Sequence, residues 1–286
     1  MTDPPDLKTF LAADQATVAA IAPRTVIYMP GGTRRAAALA GIRPESDDYV
    51  QWSRRQLIQA VEQLFQHGIQ HVFTAAIVPT NWAENRAHQE MLATYAHSVI
   101  AGESAMADYR QLGWRVRLLG GAELPSLVDT NHFLRDRTTQ DTHHTLWWMV
   151  MLDEDAPFRW MFDAVLRSQR QTREAVIQEL YGESVPLANL YIASGKPAIT
   201  PALVPPLLIG DLQCYWIQRP GYYLPPHLLR RILYDAAYTR KTWRKDKQGR
   251  AETAIMHRDT WMQDVVIGLG RRLGEHWYPA SHEENE

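Results

Sequence analysis

The feature that most constrains this chain is an alternation of two periodicities. Short apolar runs, too brief for helices, are separated by stretches with helical spacing. Five runs read as strands: 24–29, 69–78, 114–119, 146–152 and 188–193. The first stops at Pro30-Gly31-Gly32 and the second at Pro79, both strand-then-turn signals. Between them Leu57, Val61, Leu64 and Phe65 recur at helical spacing, behind Ser46 as a candidate N-cap and ahead of Gly68 as a candidate stop. Residues 84–112 read as one long helix, 124–137 as a further helical segment, more helix runs to Leu180, and 228–235 forms the last helix. Strands and helices alternating in this way predict an α/β fold: a mostly parallel central sheet with helices on both faces.

A chain of 286 residues suits one large domain, here 1–286, with a short N-terminal lead-in and a C-terminal helical tail from about 226. No linker, fixed-period repeat or low-complexity tract interrupts it, so solenoids and propellers lose their main signature. The formal charge of −2 argues against a nucleic-acid partner, and Asp235 and Asp246 break the basic stretch 230–250, which reads as a solvated helix face running into a loop. The longest apolar block, 146–152, is far below the ~20 residues needed to cross a bilayer. The N-terminus lacks the basic start and apolar run of a secretory signal. The lone Cys214 excludes an intrachain disulfide or a cysteine-rich zinc site, and a cytoplasmic location is expected. The acidic end, 281–286, is expected to fray. Ten Trp and twelve Tyr belong to the core or to a lined apolar pocket.

Chemistry is expected just beyond the first strand, since open parallel sheets bind ligands outside the carboxyl ends of their strands. Gly31 and Gly32 allow close backbone approach to an anion, Thr33 adds a hydroxyl, and Arg34 and Arg35 offer forked donors for phosphate oxygens. The group is built like a diphosphate cradle; a glycine turn followed by two solvated arginines is the plainer reading of the same residues. Other phosphate and metal signatures fail. Ser194-Gly195-Lys196 is followed by Pro197 without the glycine of a GxxxxGK[ST] loop, no GxGxxG follows the first strand, and His143-His144 lacks an HExxH partner.

Four blocks, 26–35, 77–82 with Arg86, 114–120 and 189–215, resemble in order those of cis-prenyltransferases. Gly32-Thr33-Arg34-Arg35, Asp47-Asp48-Tyr49, Phe65-Gln66-His67-Gly68-Ile69 and Leu229-Arg230-Arg231-Ile232-Leu233-Tyr234-Asp235 resemble more specifically an offshoot of that fold. These are the diterpene synthases of the tuberculosinol synthase or tuberculosinyl adenosine transferase type, a group with kolavelool synthases among its relatives. The resemblance spans residues 24 to about 240 and implies an undecaprenyl diphosphate synthase-like fold, usually a homodimer.

The resemblance also implies roles. Arg34 and Arg35 would bind and neutralise the diphosphate, with Tyr49 and Asn81 as further catalytic positions. Gly31, Gly32, Thr33, Trp82, Arg230 and Arg231 would bind substrate, Trp82 lending an aromatic face to a cation; core packing explains Trp82 nearly as well, and at least one of Arg230 and Arg231 reads as structural. Magnesium is implied as cofactor, with Asp211 and Asp48, and beside it Asp47, as ligands. Two departures matter. Chain-elongating relatives carry arginines for a second diphosphate in the block matching 193–199, and this chain does not, so one substrate diphosphate is implied. The family aspartate before the Gly-Thr-Arg-Arg tract is Gly31 here. The expected reaction is ionisation of one cyclic diterpenyl diphosphate, such as kolavenyl diphosphate, and capture of the allylic cation by water as a kolavelool-like alcohol. Loss of the aspartate suggests instead a non-catalytic subunit, and a nucleoside acceptor is a third reading.

Overall fold

A computed structural model describes residues 5–170, 172–242 and 248–279. Helices α1 (Leu7–Ala12) and α2 (Gln15–Ala19) lead into β1 (Thr25–Met29), α3 (Thr33–Leu39), α4 (Asp47–Gln66), β2 (His71–Ile77) and α5 (Pro79–Trp82). Then come α6 (Arg86–Ala101), α7 (Glu103–Leu112), β3 (Arg115–Gly120), α8 (Thr130–Arg137), β4 (Thr145–Val150), α9 (Ala156–Ser168) and α10 (Arg173–Tyr181). Strands β5 (Ala188–Ser194) and β6 (Ile209–Ile217) precede α11 (Pro226–Tyr234). The six strands form one sheet in the order β3-β4-β2-β1-β5-β6, and every pairing in it is parallel.

The inner strands β1, β2, β4 and β5 are largely buried on both faces, which is why they read as near-continuous apolar runs. Successive side chains point to opposite faces. Val26, Tyr28, Leu146, Trp148 and Val150 join the core under α4 and α6, while Ile27, Met29, Phe73, Trp147 and Met149 join a second core with Ile177 and Tyr181 of α10. The adjacent pair Trp147-Trp148 thus serves two different layers.

Four expectations change. Residues 84–112 are two helices, because the chain turns at Gly102, where a Cβ would collide with the Ser98 carbonyl. Only 130–137 of the segment 124–137 is α-helical. Ser46 stands at the N-cap of α4, but its hydroxyl donates to the Arg43 carbonyl (2.7 Å) rather than capping the helix. Strand β6, at the sheet edge, carried no strand assignment from sequence. Beyond α11 lie α12 (Arg250–Met256), α13 (Arg258–Trp261) and a hairpin of β7 (Gly270–Leu273) with β8 (His276–Pro279). Residues 281–286, expected to fray, and Asp246 lie outside the described residues.

His71 gives the core a pH dependence. It is buried and accepts a hydrogen bond from Trp147 Nε1 at Nδ1 (3.2 Å), and burial, helped by nearby Arg115, pushes its pKa down to about 4 from 6.5. Below pH 6.5 the unfolded chain takes up a proton that the folded chain refuses until about pH 4. The contribution of His71, on the order of 3 kcal/mol, is therefore complete above pH 6.5 and is lost between there and pH 4. Denaturant midpoints across that window check this, and His71→Gln should flatten the slope.

Candidate active site

A cavity of about 770 Å3 opens beside the carboxyl ends of β1 and β2 and runs down between the sheet and helices α4 and α6. That volume lies within the ~300–1,000 Å3 range of small-molecule sites. Its position follows from local chemistry. Pro30 ends β1, and the chain turns through Gly31 and Gly32, the latter with a left-handed φ of 71°. The Gly31 carbonyl accepts from Gly221 N–H (2.7 Å), and the Gly221 carbonyl accepts from Ser194 Oγ (2.9 Å). The loops after β1 and β6 and the end of β5 are thereby tied together.

At the mouth, Arg34 Nη2 donates to Glu84 Oε1 (2.9 Å) and Thr33 Oγ1 hydrogen-bonds Tyr49 Oη (2.8 Å). Asn81 and Asp47 line the same rim. Inside, Leu57, Leu92, Val99 and Trp148 supply apolar wall. Tyr49 stacks on Tyr95 (ring centroids 6.4 Å, 17° between planes), and Tyr222 completes an aromatic lining. Arg54 reaches the cavity from α4, one turn below Val50, and is ion-paired to Asp108; burial lowers its pKa. The entrance sets Arg34, Thr33 and Asn81 beside the carboxylates of Glu45, Asp47 and Glu90, and the interior is aromatic and apolar with a few hydroxyls, a lining that suits a long apolar group with one polar end.

The structure sorts the residues expected from sequence. It gathers Thr33, Arg34, Asp47, Tyr49 and Asn81 around the cavity, with Gly31 and Gly32 forming the loop behind them. Arg35 turns aside: its guanidinium lies over Gly32 and toward Gly195, and it does not line the cavity. The two arginines are neighbours in a helix, where successive side chains diverge by ~100°. Trp82 is half-buried against the core under α4, so it packs rather than faces substrate. Asp48 is exposed beside Asp47 but off the cavity. Asp211 is misplaced as a metal ligand within one chain. It lies near the start of β6, whereas the Gly31 loop abuts Ser194 at the end of β5, paired with Ile217, about 20 Å of strand away.

Arg230 and Arg231 both stand off the cavity, and Arg230 has the structural role that the sequence allowed for one of the pair. Arg230 Nη1 donates to the carbonyls of Leu11 (2.9 Å) and Ala13 (2.6 Å), and Tyr234 Oη donates to the Pro5 carbonyl (2.9 Å). Leu229, Ile232 and Leu233 are buried, while Arg231 is exposed. The most specific motif of the sequence therefore fastens the N-terminal lead-in to the body of the fold.

Residues missed from sequence are Ser53, Arg54, Thr74, Tyr95 and Tyr222. Ser53 was within reach, being one helical turn beyond Tyr49; Tyr222 and Thr74 come from distant segments and gave no local signal. Among the described residues no three His, Cys, Asp or Glu side chains come together to hold a metal ion. Nor does Gly31 mark a vacated aspartate position: a Cβ there would overlap the Ser194 carbonyl oxygen. Gly31→Asp should lower stability by ~1–3 kcal/mol, as overpacking does, and add no activity; thermal unfolding with a diphosphate-release assay checks both.

No protein-family model matches the chain. It is 38% identical over 282 residues to (+)-kolavelool synthase of Herpetosiphon aurantiacus, covering 98% of each chain. It is 28% identical over 249 residues to tuberculosinyl adenosine transferase of Mycobacterium tuberculosis, covering 82% of this chain and 83% of the other. Among solved structures it is similar to lavandulyl diphosphate synthase from Lavandula x intermedia in complex with dimethylallyl diphosphate (TM-score 0.55, 13% identity, covering 76% of this chain and 96% of that one). A probable undecaprenyl diphosphate synthase from Campylobacter jejuni is as similar (TM-score 0.55, 11% identity, covering 77% and 96%). A parallel sheet, a cavity under its helices with Arg34 at the mouth, and identity sustained along almost the whole chain agree: the chain belongs to the kolavelool synthase family of enzymes, built on the cis-prenyltransferase fold.

Proposed function

We propose that the protein is a diterpene synthase that ionises one cyclic diterpenyl diphosphate, of the kolavenyl type, and lets water capture the allylic cation to give a diterpene alcohol. The observation that carries this reading is the cavity itself, aromatic within and bearing Arg34 at its mouth, where the anionic end would sit. The absence of any cation but Lys196 in 193–199 supports a single diphosphate.

The carbon–oxygen bond breaks with its electron pair passing to diphosphate. Arg34 would neutralise the charge as it develops, and Thr33 and Asn81, which line the same cavity, would hold phosphate oxygens. The faces of Tyr49 and Tyr95 would stabilise the cation by ~1–2 kcal/mol each when desolvated. Magnesium, which binds through one or two carboxylates plus substrate phosphates, would arrive on the diphosphate, with Asp47 the carboxylate of the Asp47-Asp48 pair on the rim; it would supply further charge neutralisation. Incubation with candidate diterpenyl diphosphates and magnesium tests the function: an alcohol and released diphosphate are expected, and neither product from any substrate would instead favour a non-catalytic subunit. A nucleoside adduct formed on adding adenosine would redirect the reading to prenyl transfer.

A homodimer is part of this proposal. On α9, Phe158, Phe162 and Leu166 are exposed at helical spacing, a stripe suited to a second copy. Phe162→Lys combined with Leu166→Lys should halve the mass measured by light scattering. A cytoplasmic setting suits the lone thiol Cys214; no helix among the described residues is long and apolar enough to cross a membrane.

A further inference from the structure

The cavity wall carries more hydroxyls than a hydrocarbon needs. Ser53 is fully buried; its Oγ shares a short hydrogen bond with Tyr222 Oη and accepts from Tyr95 Oη (3.3 Å). Thr74 is also fully buried and lines the cavity, and its Oγ1 has no hydrogen-bond partner. Tyr28, on the adjacent strand, also has a buried hydroxyl without a partner, and the pairing of Ile27 with Phe73 sets the two side chains next to each other on the sheet face beneath α4. A buried hydroxyl left unpaired carries a desolvation cost, and a polar recess of this kind suits an ordered water.

We infer that Ser53, Tyr222 and Thr74 seat the water that captures the allylic cation, an inference that rests on the function proposed above. Depth supports it. Ser53 follows Tyr49 by four residues of α4, about 6 Å along the axis, so the hydroxyls stand one turn below the mouth. With the diphosphate held at the mouth, the tertiary end of the allylic cation would lie deeper than the carbon that carried the leaving group, on the side of these hydroxyls. Ionisation leaves both electrons of the broken bond on the diphosphate oxygen. A lone pair of the seated water forms the new carbon–oxygen bond, and the proton released from the oxonium passes to diphosphate, the base that ionisation has just produced. The tyrosines stay protonated, because burial pushes Tyr95 up to about 12 and raises Tyr222 well beyond the ordinary phenol range. They orient the water and do not deprotonate it.

Ser53→Ala, Thr74→Val and Tyr222→Phe, assayed beside wild type with a bicyclic C20 allylic diphosphate, test the water seat. Released diphosphate and products resolved by mass spectrometry are read together. The alcohol formed per diphosphate released should fall about tenfold or more, with dienes from proton loss taking its place, and Thr74→Ser should restore the alcohol. An unchanged alcohol-to-diphosphate ratio in all three variants, or equal loss of both, overturns the water seat while leaving the proposed reaction standing. Failure of the wild type to release diphosphate overturns the reaction itself, and the seat with it.

Discussion

Arg34→Ala should lower kcat/KM for diphosphate release by roughly 10- to 150-fold, the kinetic equivalent of the ~1.5–3 kcal/mol carried by a hydrogen bond to a charged group. The guanidinium is the cation that lines the mouth; it is exposed and its present partner, the Glu84 carboxylate, is half-buried, so a diphosphate competes for it without breaking into the core. Because charge on the leaving group grows along the reaction, the loss should fall on kcat as well as KM. Arg34→Lys should recover part of the rate, since a point charge remains but the fork does not. Arg35→Ala provides the contrast. Its guanidinium covers Gly32 rather than the cavity, so it should lower the melting temperature more than the rate. Equal kinetic losses at both positions would show that the two side chains act together on the phosphates after all.

The largest stability effect is expected at Trp147. Its ring is buried at 2% exposure, lies flat against Phe73 (centroids 5.2 Å, 6° between planes), meets Tyr181 edge-on (5.4 Å, 89°) and donates to His71. Trp147→Ala should cost about 3–5 kcal/mol, the usual range for emptying an aromatic site in a core. For a chain of this size that is a fall of roughly 6–20 °C in melting temperature. Trp147 belongs to the layer under α10, away from the cavity, so the folded fraction should keep its product pattern. Trp148 faces the other way and lines the cavity, its Nε1 donating to Tyr109 Oη (3.0 Å). Substituting it should change which products form, a difference that chromatography of the two variants resolves.

Much of the architecture was legible because its signal is local. A parallel strand buried on both faces must be apolar throughout, so five of the six strands announced themselves. The sixth, β6, is an edge strand with half-buried residues and lacks that signature. The turn Pro30-Gly31-Gly32 was legible as well, because a proline stop followed by two glycines is a local signal; which of the two arginines behind it lines the cavity was not. The motif Leu229–Asp235 was recognisable as a pattern, but its role was not. What Arg230 touches is the backbone of Leu11 and Ala13, more than two hundred residues earlier in the chain.

By itself, then, the sequence determined the alternating α/β layers and the glycine turn after the first strand, beside which the cavity opens. Only the tertiary structure decided which member of each adjacent pair faces the cavity: Arg34 and not Arg35, Asp47 and not Asp48, Trp148 and not Trp147. The reason is geometric. One step along a strand reverses a side chain, and one step along a helix turns it by ~100°. Which side becomes the pocket depends on elements distant in sequence, here α4, α6 and the segment bearing Tyr222, closing over the same face of the sheet.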